Sequence, residues 1–221
     1  FAIYMDFGNN LSNMETRNLM KKTWFTGQRF SEAKGESPLT EKTTQAMLAA
    51  LKAVHSASAP ADGDLEGLAR QRQSQNVLGR LFSPQLGFTW EPFSLGEMPM
   101  AWARPECGHD RYHVVLYCHG GGYTSGNLGY ARILASKLSQ ATGYDVLSFE
   151  YRLAPEHPYP AALEDALTAW NYLMELGYGA RDVVLAGDSA GGNLALELVL
   201  SLKKAGRRLP GFSMCLKRIP R

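Results

Sequence analysis

Residues 182–194 read DVVLAGDSAGGNL, Asp182 through Leu194. Asp182 to Gly187 is a short, β-branched-rich apolar run, the pattern of a strand buried on both faces. From Asn193 to Ala205 the letters take helix periodicity and are apolar almost all round, which predicts deep burial. The strand must therefore turn sharply into the helix at Ser189. Such a corner strains the backbone of its central residue and leaves no space for bulk beside it. Gly187 and Gly191 meet that demand. The predicted corner lifts the Ser189 hydroxyl above the sheet, at the positive end of a helix. A serine hydroxyl is a weak nucleophile until a neighbouring base takes its proton. Ser189 is the candidate nucleophile. A glycine-rich turn before a packed helix fits the same letters, so the rest of the chain must decide.

Working upstream, strands and helices alternate. Pro160 to Leu176 places Leu163, Ala166, Leu167, Trp170, Leu173 and Met174 on one helical face. Tyr144–Tyr151 reads as a strand, and 128–142 as a helix stopped by Gly143. Val114–Cys118 is another continuous apolar strand. Repeated strand–helix units predict an α/β fold with a mostly parallel sheet and helices on both faces. Phe88–Phe93 alternates like an edge strand, with Pro92 arguing against a central position. Met98–Ala103 is its expected partner, and Phe212–Leu216 starts one more strand. Ligands of such sheets sit beyond the carboxyl ends of the strands. His119-Gly120-Gly121-Gly122-Tyr123 falls at one such end, directly after Cys118, and the Ser189 corner at another. Three successive glycines suit a backbone that passes close to a ligand. The N–H groups of Gly120, Gly121 and Gly122, joined by that of Ala190, are the candidate donors to an oxyanion. A flexible loop braced by His119 is the plainer reading.

The remaining chain is less patterned. Met14, Leu19, Met20 and Trp24 suggest a short apolar stripe. A helix opening at Ser37-Pro38 carries Met47, Leu48, Leu51 and Val54, and residues 56–64 (SASAPADGD) read as a linker. Asp64 is the expected cap of a second helix reaching about Leu78.

Composition excludes several classes. Of 221 residues, 23 are Lys or Arg and 21 are Asp or Glu, for a net charge of +2. No basic stripe interleaved with aromatics invites nucleic acid. No apolar run approaches the ~20 residues of a membrane span. Three widely spaced cysteines, Cys107, Cys118 and Cys215, offer neither a disulfide framework nor zinc spacing. There is no GxxxxGK[ST] phosphate loop, and neither metal nor cofactor is expected. A cytoplasmic setting is the default. The chain begins with Phe1, and Met5 or Met14 are candidate starts.

HGGGY at 119–123, YRLAPEHPYPAALED at 151–165 and GDSAGGNL at 187–194 together resemble the signature set of the hormone-sensitive-lipase-like esterases of the α/β-hydrolase fold. The runs stand in that family's order and approximate spacing. The resemblance implies Ser189 as nucleophile, and Gly120, Gly121, Gly122 and Ala190 as oxyanion donors. It implies hydrolysis of small-molecule esters through an acyl-enzyme, with small acyl groups favoured because nothing signals a lipid-interface lid. Arg152, Glu156, His157, Asp165 and Asp188 are implied to be braces rather than proton carriers. The resemblance also implies an N-terminal helical cap over residues 1–78 and part of a catalytic domain over 79–221.

One feature departs from the family. Its triad runs Ser, then Asp or Glu, then His. After Ser189 this chain has no His or Asp and one acid, Glu197, while His55, His109, His113, His119 and His157 all precede it. The tail from Lys203 holds seven cations and no acid. The expectation is that the family's C-terminal strands and helices are missing, through truncation or a shifted frame. That would leave a sheet edge unpaired and activity impaired. The alternatives are an inactive gene fragment and a non-catalytic ligand-binding protein, since gibberellin receptors resemble this family without its histidine.

Overall fold

A computed structural model describes residues 2–5, 64–82 and 86–217. The apolar stripe of 14–24, the helix from Ser37 and the linker 56–63 lie outside the described residues, as does His55.

The strand pattern of residues 114–118 explains the architecture. All five residues of this run are buried, because β4 (Asp110–Cys118) lies in the middle of the sheet. Successive side chains point to opposite faces. Val114, Leu116 and Cys118 enter one core, and Val115 and Tyr117 enter another. β5 (Tyr144–Phe149) and β6 (Val183–Asp188) flank β4 in parallel. They divide their residues the same way: Leu147, Phe149, Val183 and Leu185 to the first core, Val146 and Ala186 to the second. β7 (Phe212–Lys217) pairs parallel with β6. The four central strands are thus mutually parallel, joined by helical crossovers.

The crossover helices cover both faces. α2 (Leu128–Thr142) seals the second core with Ala131 and Ala135. Its start is fixed by Asn127, whose Oδ1 accepts from the Tyr130 N–H at 3.0 Å. Its end is Gly143, at φ 73°, as the sequence predicts. α3 (Ala161–Glu175) and α4 (Ala190–Lys204) seal the first core with Ala166, Trp170, Leu173, Leu194, Leu198 and Leu202. The expectation that α4 is buried all round is not met. It buries one face only, and Leu196 and Leu200 stand 40% and 63% exposed.

Antiparallel strands close both sides of the sheet. β3 (Met98–Pro105) pairs with β5, and β2 (Phe88–Leu95) pairs with β3 as the outermost strand, where Pro92 costs no ladder bond. At the other side, β7 pairs antiparallel with β1 (Ala2–Met5), a strand the sequence did not suggest. β7, expected at the open edge, is therefore paired, β1 takes the outer position, and the full order is β1-β7-β6-β4-β5-β3-β2. α1 (Leu65–Phe82) begins as predicted: Asp64 Oδ1 accepts from the Gly67 N–H at 2.8 Å. It runs past Leu78 to Phe82 and packs on α2.

Candidate active site

β6 ends at Asp188 and α4 starts at Ala190, so Ser189 alone makes the corner. Its backbone takes φ 52° and ψ −121°, a conformation that L-residues rarely adopt. Its side chain is exposed. A non-glycine residue held at such angles costs of order 1–3 kcal/mol and persists only where packing over-determines it. The neighbours show that packing. A Cβ on Gly187 would lie 2.2 Å from the Gly191 carbonyl oxygen. One on Gly191 would lie 2.0 Å from the Cys118 oxygen and 2.4 Å from that of His119. The first turn of α4 thus rests directly on the end of β4, where the glycine loop begins.

The two motifs are stitched together. Cys118 and Gly187 are register partners on adjacent strands. Tyr123 donates its hydroxyl proton to Asn193 Oδ1 at 2.7 Å, bridging the glycine loop to the first turn of α4. The loop is a tight turn with φ 123° at Gly121, 64° at Gly122 and 63° at Tyr123. The Gly121 carbonyl accepts the N–H groups of Thr124 (3.2 Å) and Ser125 (3.0 Å). A Cβ on Gly121 would strike the Ser125 oxygen at 2.1 Å.

The candidate donors differ in what they already hold. The Gly120 N–H donates to Asp188 Oδ1 at 2.8 Å, so this amide is occupied within the fold. The N–H groups of Gly121 and Gly122 have no acceptor among the described residues. Ala190 is the first residue of α4, where an amide has no intrahelical acceptor.

His119 is fully buried and lies flat against Tyr151, ring centroids 4.2 Å apart. Its Nδ1 sits 2.8 Å from the Gly120 oxygen, which can only accept. Nδ1 therefore carries the proton, and Nε2 is left buried without a partner among the described residues. Burial pushes this imidazole down to about 4, so it is neutral near neutral pH. Tyr151 donates to the His119 oxygen at 2.7 Å. The Cys118 thiol is pushed up to about 12 by burial and the nearby Asp188 charge, so it stays protonated.

Asp188 is engaged at both oxygens: Tyr117 donates to Oδ1 at 2.5 Å and Tyr130 to Oδ2 at 2.7 Å, beside the Gly120 bond. The run 151–165 is also a set of braces. The Arg152 N–H and side chain bind Asp165 at 2.7–3.1 Å, and its guanidinium reaches Glu164 at 2.8 Å. Glu156 is held by Arg72 through two bonds of 2.8 and 2.9 Å. Arg72 was not singled out in the sequence. From α1 it also donates to the carbonyls of Thr124 and Ala154 and ties the glycine loop to the 151–157 turn. One arginine in a polar helix gives no signal of this. Beside the turn is a cleft of about 750 Å³, lined by Arg72, Tyr151, Arg152, Leu153 and His157 among others. Ser189 is not on its wall.

No histidine bonds to Ser189 among the described residues. His109 pairs with Asp145 (2.6 Å), and His113 pairs with Asp110 (2.9 Å) and stacks on Tyr144. Asp110, Tyr144 and Asp145 begin β4 and β5, at the end of the sheet opposite Ser189. The described residues contain no cluster of His, Cys, Asp or Glu able to hold a metal ion. No described helix is long and apolar enough to cross a membrane.

Known proteins resemble this chain in sequence and in fold. A family described as alpha/beta hydrolase fold matches residues 115–217. An acetyl-hydrolase of Streptomyces hygroscopicus is 42% identical over 144 residues, 65% of this chain and 46% of that protein. An ethyl acetate hydrolase of Pseudomonas putida is 44% identical over 93 residues, 40% of this chain and 29% of that one. Among solved structures, an esterase from the bacterial hormone-sensitive lipase family superposes with a TM-score of 0.63 at 33% identity, covering 67% of this chain and 50% of its own. A mutant of the esterase E40 reaches 0.71 at 29% identity, covering 82% and 59%. The chain spans less than half the length of these two curated relatives.

Proposed function

We propose that this chain, which resembles the hormone-sensitive-lipase-like esterases of the α/β-hydrolase fold in its motifs, its sequence relatives and its structure neighbours, carries the nucleophile and oxyanion elements of a carboxylic-ester hydrolase acting on small acyl esters. The observation that carries this reading is the strained, exposed Ser189 stitched beside unengaged amides of the glycine loop. Ser189 Oγ attacks the ester carbonyl carbon, and the carbonyl oxygen becomes an oxyanion. The N–H groups of Gly121, Gly122 and Ala190 receive it. Gly120 is left out of this set, because its N–H serves Asp188. The tetrahedral adduct collapses to an acyl-serine as the alcohol leaves. Water then releases the acid and restores the hydroxyl. One such donor contributes roughly 3–4 kcal/mol to the barrier reduction.

The proton leaving Ser189 needs a base, and no described residue supplies one. The chain alone is therefore expected to show only residual catalysis, roughly 10³–10⁴-fold over water. The test is hydrolysis of p-nitrophenyl acetate together with labelling by an alkyl fluorophosphonate. We expect slow labelling, located at Ser189 by peptide mass spectrometry and abolished in Ser189→Ala. Labelling that persists in Ser189→Ala refutes the assignment. Turnover at ordinary esterase rates, abolished in Ser189→Ala, shows that one of the upstream histidines acts as base.

A non-catalytic ligand-binding role is the second reading, favoured by the missing base alone. Saturable binding of a small ligand with no labelling of Ser189 supports it.

A further inference from the structure

Asp188 stands next to the nucleophile, yet every bond to it points away from proton transfer. Its carboxylate receives three donors from three separate elements: the Tyr117 hydroxyl from β4, the Tyr130 hydroxyl from α2, and the Gly120 N–H from the glycine loop. A tyrosine hydroxyl and an amide donate to a carboxylate most strongly when it is ionised, with bonds about twice as strong as neutral ones. Burial and the Asp188 charge hold both tyrosines well above the usual phenol range, so both keep their protons.

The fit around Gly120 is close. A Cβ on that residue would meet Asp188 Oδ2 at 2.4 Å and the Asp188 carbonyl oxygen at 2.8 Å. Residue 120 is held at both ends, its N–H by Asp188 and its carbonyl by His119 Nδ1. In a trans peptide, the N–H of the following residue points opposite to that carbonyl. Fixing Gly120 therefore fixes the direction of the Gly121 N–H.

We propose that Asp188, set by Tyr117 and Tyr130, is a positioning residue that anchors the glycine loop through Gly120 and so aims the Gly121 and Gly122 amides at the developing oxyanion. This rests on the reading of Ser189 given above. The tyrosines fix both carboxylate oxygens from different sides, so the anchor cannot swing toward Ser189 or release the loop. Loss of either hydroxyl frees one oxygen. Replacement of Asp188 by Asn leaves a single acceptor for three donors.

The experiment measures labelling by the alkyl fluorophosphonate over hours, resolved into a limiting rate (kinact) and an apparent affinity (KI). It uses the parent chain, Asp188→Asn, Tyr130→Phe and Tyr117→Phe, with hydrogen exchange followed in the peptide spanning 119–125. A misplacement on the scale of 1 Å costs about 100-fold. We expect kinact to fall about 100-fold in Asp188→Asn and roughly 5- to 10-fold in each tyrosine variant. KI should stay within about twofold, and faster exchange should be confined to 119–125. A merely structural role changes the melting temperature and exchange throughout without separating kinact from KI. If Asp188→Asn does not fold, the two tyrosine variants decide. Folded variants that keep the parent kinact overturn the proposal and leave Ser189 as nucleophile. A parent chain that is not labelled at all overturns the reading of Ser189 and this proposal with it.

Discussion

Gly191→Ala tests the geometry on which the site depends. On helix propensity alone the change is favourable, by roughly 0.8–1 kcal/mol for a glycine inside a helix. The surroundings oppose it. The added carbon would lie 2.0 Å from the Cys118 oxygen and 2.4 Å from the His119 oxygen. Both are backbone atoms at the end of the central strand and cannot rotate away, so the first turn of α4 must lift by more than about 1 Å to restore ordinary contact. Overpacking of this kind costs typically 1–3 kcal/mol, occasionally more. Propensity offsets part of it, which leaves a net loss of up to about 2 kcal/mol. For a chain of this size that is a fall of up to roughly 8 °C in melting temperature. The same lift carries Ser189 and the Ala190 amide away from the glycine loop. A 1 Å misplacement costs about 100-fold, so labelling of Ser189 should drop far more than stability does. The assay pairs a thermal melt with the fluorophosphonate rate. Gly206→Ala is the control, because its Cβ would meet nothing within 4 Å and only its φ of 65° opposes it. A Gly191→Ala variant that melts at or above the parent temperature and labels at the parent rate refutes the close approach of α4 to β4.

Two further outcomes follow from charge. His119 is neutral in the fold down to about pH 4 but takes a proton near 6.5 when unfolded. The unfolded chain thus binds more protons in that interval, and stability is complete above pH 6.5 and falls progressively as pH drops toward 4. His119→Asn, which keeps a donor for the Gly120 carbonyl, should flatten that slope between pH 6.5 and 4 in urea melts; an unchanged slope contradicts the buried neutral ring. Arg72 holds the Glu156 carboxyl down to about 2 from the usual 4.5, chiefly through its side-chain hydrogen bonds. Arg72→Met should remove a contribution that is present above pH 4.5 and lost as pH falls toward 2. The pair is partly exposed, so the effect is below about 1 kcal/mol, and exchange protection at 151–157 is the more sensitive readout.

The sequence disclosed those parts of the fold that rest on local pattern. Val114–Cys118 and Asp182–Gly187 showed their burial because a strand covered on both faces admits no polar alternation. Gly143 and Asp64 showed helix ends because their chemistry is local. The Ser189 corner was legible from glycine spacing, and the structure adds its φ of 52°. What stayed hidden was non-local. Strand β1 pairs with β7 across more than two hundred residues, and no short window contains that partnership. Arg72 and Tyr130 acquire their roles only when helices α1 and α2 are brought against the glycine loop and Asp188. Leu196 and Leu200 looked like core because periodicity counts apolar residues and does not see whether a face is covered.

The same distinction separates the glycines. All three letters of the Gly120–Gly122 run look equivalent in sequence, and all three were candidate donors. Their amides are sorted by a residue that lies 66 positions beyond Gly122 in the chain, Asp188, which takes the first N–H. Residue 120 leaves no room for a side chain against that carboxylate and 121 leaves none against Ser125, whereas 122 has room for one and only its φ of 64°, a value Tyr123 also adopts, favours glycine. One anchors the loop and two turn it. A run of identical residues can thus divide its work, because the peptide that holds the loop in place is not one of the two proposed to face the oxyanion.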